Sequence, residues 1–286
     1  MKKGFLAFVC LIVFWGCNET LEDYPLPESE PRLVIQAVLL HYTKAQTKGF
    51  VNYHTGNIAP EIKLSTTLNF GQTEPLPVED AKVWVTDKSD QITYVFAHDL
   101  NGSYRTENFV FAKDHVYTLE VEHQNQKYSA SYQYQTTPII DSLYESNDRG
   151  LTSKHNEVNF MFKDSLEKKQ YYYYSANLQG RDPKYRVFDD DIFSGSRVTL
   201  FYENKDLTPL NFVYYSLRTL DENSYYYYRT LTNQANPDPL FTVPSVPLKG
   251  NIINQTNPDN PPLGYFGVFD EVVGIHLYGT KQTAQR

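Results

Sequence analysis

Histidine is the side chain that most often serves as a general base or a transition-metal ligand near neutral pH, and the chain contains seven of them. No two are three or four residues apart, the spacing that would place two ligands on one face of a helix. The sequence also has no HExxH motif, no paired cysteine motif and no serine elbow of the G-x-S-x-G type. We therefore expect no catalytic residues and no metal site. The histidines are His41, His54, His98, His115, His123, His155 and His276.

Three consecutive carboxylates, Asp189, Asp190 and Asp191, form the other cluster that could bind a metal. An EF-hand loop places its carboxylates at alternate positions and closes with a glutamate, and this run does neither. The sequence therefore favours a hydrated acidic loop over a calcium site. Because the chain has 34 acidic residues, a pair resembling the acids of a glycosidase could always be selected and carries no weight. We expect no cofactor.

Cys17 is the position with the clearest chemical setting. Lys2 and Lys3 precede an apolar run over residues 5–15, which has the length of a signal-peptide core and is too short to cross a bilayer of about 30 Å. The small residue Gly16 stands directly before the cysteine. This ending resembles the lipobox of bacterial lipoproteins, whose cysteine receives diacylglycerol and becomes the new first residue. The alternative is a plain signal peptide, residues 1–16, followed by an incidental cysteine.

Cleavage before Cys17 would remove Cys10, the only other cysteine, so the remaining chain could form no internal disulfide. Its stability must then come from an apolar core. The formal charge of −8 becomes −10 when the two lysines of the signal peptide are lost. An acidic chain without basic clusters argues against nucleic acid as a partner. Acyl chains on the cysteine would attach the protein to the outer membrane.

Acidic residues follow the cysteine at Glu19, Glu22 and Asp23. They resemble the export signal that sends lipoproteins of the Bacteroidota to the outer face of the outer membrane. The alternative is a hydrated tether without a targeting role. Three prolines between residues 24 and 31 stiffen the chain, so we expect residues 17–31 to form an acidic, proline-rich spacer.

Residues 32–137 show the pattern of a β-sandwich. Leu33–Leu40 forms a buried-strand run, and residues 116–122 and 127–132 alternate around a short polar turn as a hairpin would. The alternating strand Ala81–Asp87, A-x-V-x-V-x-D, with the later G-x-Y at residues 102–104, resembles prealbumin-like and carboxypeptidase-regulatory-like domains. We expect an immunoglobulin-like or prealbumin-like sandwich, with Asn101-Gly102 in a tight turn.

Residues 138–286 are expected to form a second, tyrosine-rich and mostly β domain with one or two short helices. Pro138 cannot continue a ladder and marks the boundary. One helix is predicted, with Asp221 as its N-cap and Tyr225–Gln234 as its body. Further strands are predicted at residues 158–162, 170–176, 197–202 and 211–217.

Aromatic residues supply the candidate interaction surface. Trp84 is the only tryptophan outside the predicted signal peptide. Alternation in its strand sends it to the outer face, where we expect the second domain or a partner to cover it. The runs Tyr171–Tyr174 and Tyr225–Tyr228 could stack on sugars, although packing of half-buried rings is the favoured interpretation. Trp84, Tyr225 and Tyr228 are the candidate contact residues.

Taken with the lipobox, five motifs make residues 17–280 resemble an uncharacterised family of Bacteroidota outer-membrane lipoproteins, the domain of unknown function DUF4249. The resemblance implies an accessory role beside TonB-dependent receptors, whose genes often neighbour those of the family. It supplies no catalytic residues and transfers one functional position, Cys17. The motifs are A-x-V-x-V-x-D at Ala81–Asp87, D-I-F-S-G at Asp191–Gly195, F-x-x-P at Phe241–Pro244, G-N-I at Gly250–Ile252 and L-G-Y-F-G-V at Leu263–Val268.

Three classes of function are therefore expected, and the first is favoured. It is a non-enzymatic lipoprotein of the cell surface that assists a TonB-dependent receptor in nutrient uptake. The second is a surface lipoprotein that itself binds a glycan or a peptide. The third is a hydrolase, which would require a nucleophile, a histidine and an acid to meet in a cleft.

Overall fold

A computed structural model describes residues 31–45, 59–68, 73–147, 155–235 and 248–279. The predicted signal peptide and tether, with Cys17, Glu19, Glu22 and Asp23, lie outside the described residues, as does His54. The described chain is mainly β, as the alternation predicts, with one helix. The elements are β1 (Leu33–Lys44), β2 (Glu61–Thr66), β3 (Lys82–Asp87), β4 (Ile92–His98), β5 (Ser103–Arg105), β6 (Val116–His123), β7 (Gln126–Gln133), β8 (Ile140–Ser146), β9 (Asn156–Lys163), β10 (Tyr171–Leu178), β11 (Lys184–Asp189), β12 (Arg197–Asn204), β13 (Phe212–Leu220), α1 (Glu222–Ala235), β14 (Ile253–Asn254) and β15 (Leu263–Leu277).

Twelve strands form one sheet in the order β11-β10-β13-β15-β1-β2-β5-β4-β3-β6-β7-β14, and β12-β9-β8 form a second. The centre of the large sheet is a parallel pair, in which β1 runs beside β15 from Val34 opposite Leu263 to Lys44 opposite Val273. The first and last strands of the described chain are therefore neighbours.

The first apolar core is built mainly from the inward residues of β1 to β7, with further residues from α1 and β15. Alternation makes this possible, because Val83, Val85 and Leu119 point inward with almost no exposure while their neighbours point outward. The sheet folds back on itself, so that Tyr132 of β7 packs against Phe269 of β15 with ring centroids 4.8 Å apart. The first core therefore lies between two layers of strands. The predicted immunoglobulin-like or prealbumin-like topology stays a prediction.

The second apolar core lies between the small sheet and the strands β10 and β13. Phe160 of β9 packs on Tyr215 of β13 with centroids 4.3 Å apart, and Phe162 packs on Tyr172 at 5.1 Å. Strand β15 contributes to both cores, since Phe266 and Phe269 belong to the first and Val272 to the second. Both cores draw on residues from each side of Pro138, and the domain boundary suggested there stays a prediction.

Two predicted turns are confirmed by their backbone. Asn101 and Gly102 both have positive φ, at 50° and 70°, and so do Gln124 and Asn125 in the hairpin between β6 and β7, at 49° and 60°. Gly102 has a second requirement. A Cβ at this position would stand 2.2 Å from the carbonyl oxygen of Leu64, so the chains can approach this closely only at glycine.

Helix α1 begins as predicted. The side chain of Asp221 accepts a hydrogen bond from the backbone N–H of Ser224 at 2.8 Å, which satisfies one of the free donors of the first turn. The helix then lays its tyrosines against the large sheet, where Tyr225 and Tyr228 are buried. In the described parts of the chain, no helix has the length and apolar character needed to span a membrane.

Candidate functional site

Trp84 stands on the outer face of the first core, in the direction that alternation predicts. Its neighbours Val83 and Val85 are 2% and 0% exposed on the inner face, whereas Trp84 is half-buried on the other side. Across the sheet, Trp84 lies opposite Val95 of β4 and Glu120 of β6. These three residues form one row, which we call the Trp84 row.

The indole of Trp84 is fixed by a hydrogen bond from its Nε1 to Oε2 of Glu120, 2.8 Å long. A carboxylate acceptor makes this bond stronger than one between neutral groups. The ring is therefore held toward β6 before anything binds to it, and its position does not depend on a partner.

A groove of about 480 Å³ lies beside the indole on the β4 side. Val95 is 69% exposed there, which is unusual for an aliphatic side chain in the middle of a strand. The groove is mostly apolar, with Trp84 as one of its walls. The other lining residues include Ala81, Lys82, Thr93, Ala97 and His98.

A row of hydroxyl groups runs along one side of the Trp84 row. Thr86 and Thr93 have their Oγ1 atoms 3.3 Å apart, and Thr118 and Ser131 have their hydroxyl oxygens 2.9 Å apart. Thr86 also lies opposite Thr118, so the four hydroxyls follow one another across β4, β3, β6 and β7. We call this set the hydroxyl row.

A row of charges runs along the other side. Glu122 lies between Lys82 and Lys127, whose Nζ atoms are 3.8 Å and 3.1 Å from its carboxylate oxygens. We call these three residues the charged row. The two lysines are positively charged hydrogen-bond donors, and the glutamate is a negatively charged acceptor. Trp84 and Val95 therefore form a narrow apolar strip, which ends at the carboxylate of Glu120 and has polar groups on both sides.

Within the described residues, no part of the second half of the chain lines the groove beside Trp84. The described residues that line the groove all fall within residues 81–98, from the residue before β3 to the end of β4. The second core instead meets the first through β15 and helix α1. Trp84 is consequently the predicted contact residue that stays accessible.

Tyr225 and Tyr228 have a different role from the one proposed for them as surface residues, because they are 5% and 8% exposed. Tyr225 packs on Tyr171 with centroids 4.7 Å apart, and Tyr228 packs on Tyr173 at 5.2 Å. The favoured interpretation of these runs as packing is correct for these four rings. On helix α1, Tyr226 is the tyrosine with a mostly exposed ring, at 55%.

The Tyr228 ring also covers a buried charge. The guanidinium of Arg218 lies 5.2 Å from the ring of Tyr173, 5.7 Å from that of Tyr228 and 4.9 Å from that of Phe269. Its Nη1 donates to the Tyr228 hydroxyl at 3.2 Å. Burial raises the pKa of Tyr173, a direction that Arg218 opposes, so these phenols stay neutral and serve as packing and hydrogen-bonding groups.

The acidic run at 189–191 is not one hydrated loop. Asp189 accepts a hydrogen bond from the hydroxyl of Tyr225 at 3.0 Å, Asp190 is 2% exposed, and Asp191 pairs with Lys169 at 2.6 Å. Each carboxylate therefore has its own surroundings. The prediction failed in this respect because Asp189 ends β11, which lies against α1, whereas Asp190 and Asp191 fall in the turn that follows.

A group with metal-ligand geometry occurs elsewhere, where Asp87, Asp90 and His115 place one possible ligand atom each within 4.8 Å of one another. Asp87 is already engaged, since Oδ2 is 2.8 Å from Nδ1 of His115 and Oδ1 accepts from the backbone N–H of Ser89 at 2.9 Å. Although burial opposes it, the hydrogen bond from His115 helps hold the pKa of Asp87 below its ordinary value, and the same bond raises the pKa of His115. The group is best described as a clip between two turns.

A polar cavity of about 630 Å³ lies between the two cores. Two of its charged groups already have neutral partners, as Lys168 donates to Gln135 at 2.7 Å and Asp164 accepts from the backbone N–H of Gly195 at 2.7 Å. The Trp84 groove differs, because among the described residues its lining comes from residues 81–98 alone. We therefore take the Trp84 row as the candidate site.

Sequence reasoning found Trp84 and missed the residues beside it. Alternation alone shows that Glu120, Glu122 and Thr118 point outward on β6. It does not show that β6 lies directly beside β3, because the two strands are separated by β4 and β5 in the chain. The sequence pattern could not supply the order of the strands in the sheet, which is β4-β3-β6-β7.

Comparison with known proteins places the chain in a family. Among curated proteins, no sequence matches it significantly. The family described as Domain of unknown function (DUF4249) matches residues 51–274, which include every strand from β2 to β14 and most of β15. The chain therefore belongs to the DUF4249 family.

Proposed function

We propose that the protein is a non-enzymatic binding protein of the cell surface that assists a TonB-dependent receptor in nutrient uptake. In this proposal, lipid on Cys17 anchors it in the outer membrane, and Glu19, Glu22 and Asp23 direct it to the outer face. The Trp84 row is its surface for contact with the nutrient, which it passes to the receptor. The observation that carries the proposal is the accessible indole on a rigid sheet, held by Glu120 at 2.8 Å.

Rigidity is the reason this arrangement suits binding. A side chain that is already held in one orientation loses little conformational freedom when a partner arrives, so more of the contact energy appears as affinity. Trp84 sits in the middle of a strand with paired neighbours on both sides, and its indole has a hydrogen-bonded anchor. A large aromatic ring placed in this way is the kind of residue that dominates binding energy at contact surfaces.

Co-purification tests the receptor part of the proposal. The full-length protein, tagged at its C-terminus, would be recovered from crosslinked outer membranes of cells that express it at native level. We expect a TonB-dependent receptor in the eluate, and we expect its loss with Cys17→Ala, which removes the anchor. Recovery of abundant wild-type protein without any such receptor would contradict the proposal.

Direct recognition of a glycan by the lipoprotein is the second candidate function. The specific observation that favours it is the hydroxyl row beside Trp84, because hydroxyl groups next to an aromatic ring match the polar rim and apolar face of a sugar. The two functions are compatible if the lipoprotein captures a nutrient and passes it to the receptor.

A further inference from the structure

We infer that the groove beside Trp84 binds a saccharide, with one sugar ring stacked against the indole. This inference rests on the proposed use of the Trp84 row as a contact surface and names the ligand class for it. The ligand we assign is an uncharged oligosaccharide, and the argument depends on the width of the apolar strip, the groups beside it and the anchoring of the ring.

The apolar strip is too narrow for the core of a protein interface. Along its own strand, Trp84 has the polar residues Lys82 and Thr86 two positions away on the same face. Across the sheet, its neighbours are Val95 on one side and the carboxylate of Glu120 on the other. Protein interfaces of standard size place a cluster of apolar side chains at their centre and keep charges at the rim. Here a charged group, the carboxylate of Glu120, is in direct contact with the indole.

The same width fits a sugar ring. A pyranose has an apolar face of C–H groups and a rim of hydroxyls, so it needs an apolar surface of about its own size with hydrogen-bonding groups around it. Residues two positions apart along a strand are separated by about 7 Å. The charged row and the hydroxyl row therefore flank Trp84 at the distance where the hydroxyls of a stacked ring, and of its neighbours in a chain, would lie.

The groove itself has a suitable volume and composition. At about 480 Å³ it falls in the usual range of small-ligand sites, which are mainly apolar with a few well-placed polar groups. Val95 and Trp84 supply apolar lining, and Lys82, Thr93 and His98 are among the other lining residues. The charged row carries two lysines and one glutamate, and Glu120 beside the indole brings the formal charge of the four residues to zero, which suits an uncharged ligand.

Glu120 is a positioning residue in this inference. Its carboxylate fixes the plane of the indole and need not touch the sugar. Glu120→Gln keeps the volume of the side chain and weakens the hydrogen bond, so it should lower affinity by a smaller factor than loss of the ring.

The experiment uses the full mature protein in detergent and soluble hexasaccharides of glucose, xylose, mannose and galactose as probes. Trp84 is the only tryptophan outside the predicted signal peptide, so its fluorescence reports on the site directly. We expect at least one probe to change the emission in a saturable way, with a dissociation constant in the millimolar range or below. Calorimetry then compares variants, with Trp84→Ala abolishing binding, Trp84→Phe retaining part of it and Glu120→Gln weakening it.

Tyr226→Ala is the matched control, because it removes another aromatic ring that reaches the surface, on helix α1. It should bind the same probe as the wild type does. Thermal unfolding of each variant shows whether the fold is intact, which we expect since Trp84 points away from the core. The inference is overturned if no probe changes the wild-type emission, or if a variant that keeps its fold binds equally well without the ring. Receptor recovery with no saccharide binding would reject this inference and leave the proposed function standing, and saccharide binding without a receptor would do the reverse.

Discussion

Arg218 and Glu271 form an ion pair inside the protein, with Nη2 of the arginine 3.0 Å from Oε2 of the glutamate and both side chains less than 10% exposed. The pair joins β13 to β15, directly below helix α1. Three aromatic rings surround the guanidinium, so neither charge has bulk water as an alternative partner.

Removing one partner of this pair should destabilise the protein strongly. Glu271→Ala leaves a buried guanidinium without its counter-charge, and we expect the free energy of unfolding to fall by about 3 to 5 kcal/mol. Urea unfolding followed by circular dichroism measures this. Asp206→Ala is the control, because Arg181 and Asp206 are also 3.0 Å apart but largely exposed, and its effect should stay below about 1 kcal/mol. Equal effects of the two substitutions would show that burial does not matter here.

Gly264 is required where β15 begins to pair with β1. A Cβ at this position would stand 2.0 Å from the carbonyl oxygen of Ile35, and the φ angle is +105°. Gly264→Ala should therefore cost more than about 3 kcal/mol, since both the backbone conformation and the close approach are lost. Gly180→Ala separates the two causes, because its φ is +76° but no atom lies within 4 Å, and it should cost about 1 to 2 kcal/mol. Similar midpoints for both variants in urea unfolding would contradict this account.

The clip between Asp87 and His115 should make stability depend on pH in a defined way. The pKa of His115 is raised above 6.5 in the folded protein, so its contribution is complete below 6.5 and is lost as pH rises through the folded pKa. The pKa of Asp87 is lowered below 3.8, so its contribution is complete above 3.8 and is lost as pH falls through the folded pKa. The difference in stability between the wild type and His115→Gln should therefore be largest near about pH 5 and smaller at about pH 3 and pH 9. A difference that is constant across this range would mean that the hydrogen bond does not couple to ionisation.

Membrane attachment and export should respond to different substitutions. Cys17→Ala should leave an uncleaved precursor that no longer enters the detergent phase, because the site of lipid attachment is gone. Replacing Glu19, Glu22 and Asp23 with alanine should keep lipidation but protect the protein from protease added to whole cells. Normal processing of the cysteine variant would reject the lipoprotein interpretation, and unchanged surface digestion of the triple variant would show that the acids are only a tether.

The local pattern of the sequence predicted much of the fold because short-range rules govern it. Period-two alternation places Trp84 on the outer face, the positive-φ pairs at residues 101–102 and 124–125 form tight turns, and Asp221 caps helix α1. Strand β15 was not predicted as a strand. It is buried along nearly its whole length on both faces, so it has no alternation to detect, and its partner β1 is more than 200 residues away in the chain.

The candidate site was also predictable only in part. The direction of Trp84 follows from its own strand, but the groups beside it come from β4, β6 and β7, whose order depends on long-range pairing. The tyrosine runs illustrate the opposite case. Their alternation predicted two rings on each face of β10, and the structure shows that helix α1 and the second core occupy those faces.

The most direct test of the account is site-specific photo-crosslinking on the surface of living cells. A benzophenone amino acid would replace Val95, whose side chain is 69% exposed in the groove beside Trp84, and in a second strain would replace Tyr226 on helix α1, which is 55% exposed. If the Trp84 row is the contact surface, irradiation should give a defined adduct from position 95 and none of that mass from position 226, and Trp84→Ala should reduce the adduct. An absence of adducts at position 95, or the same adduct from both positions, would contradict the central claim that this protein works through the Trp84 row.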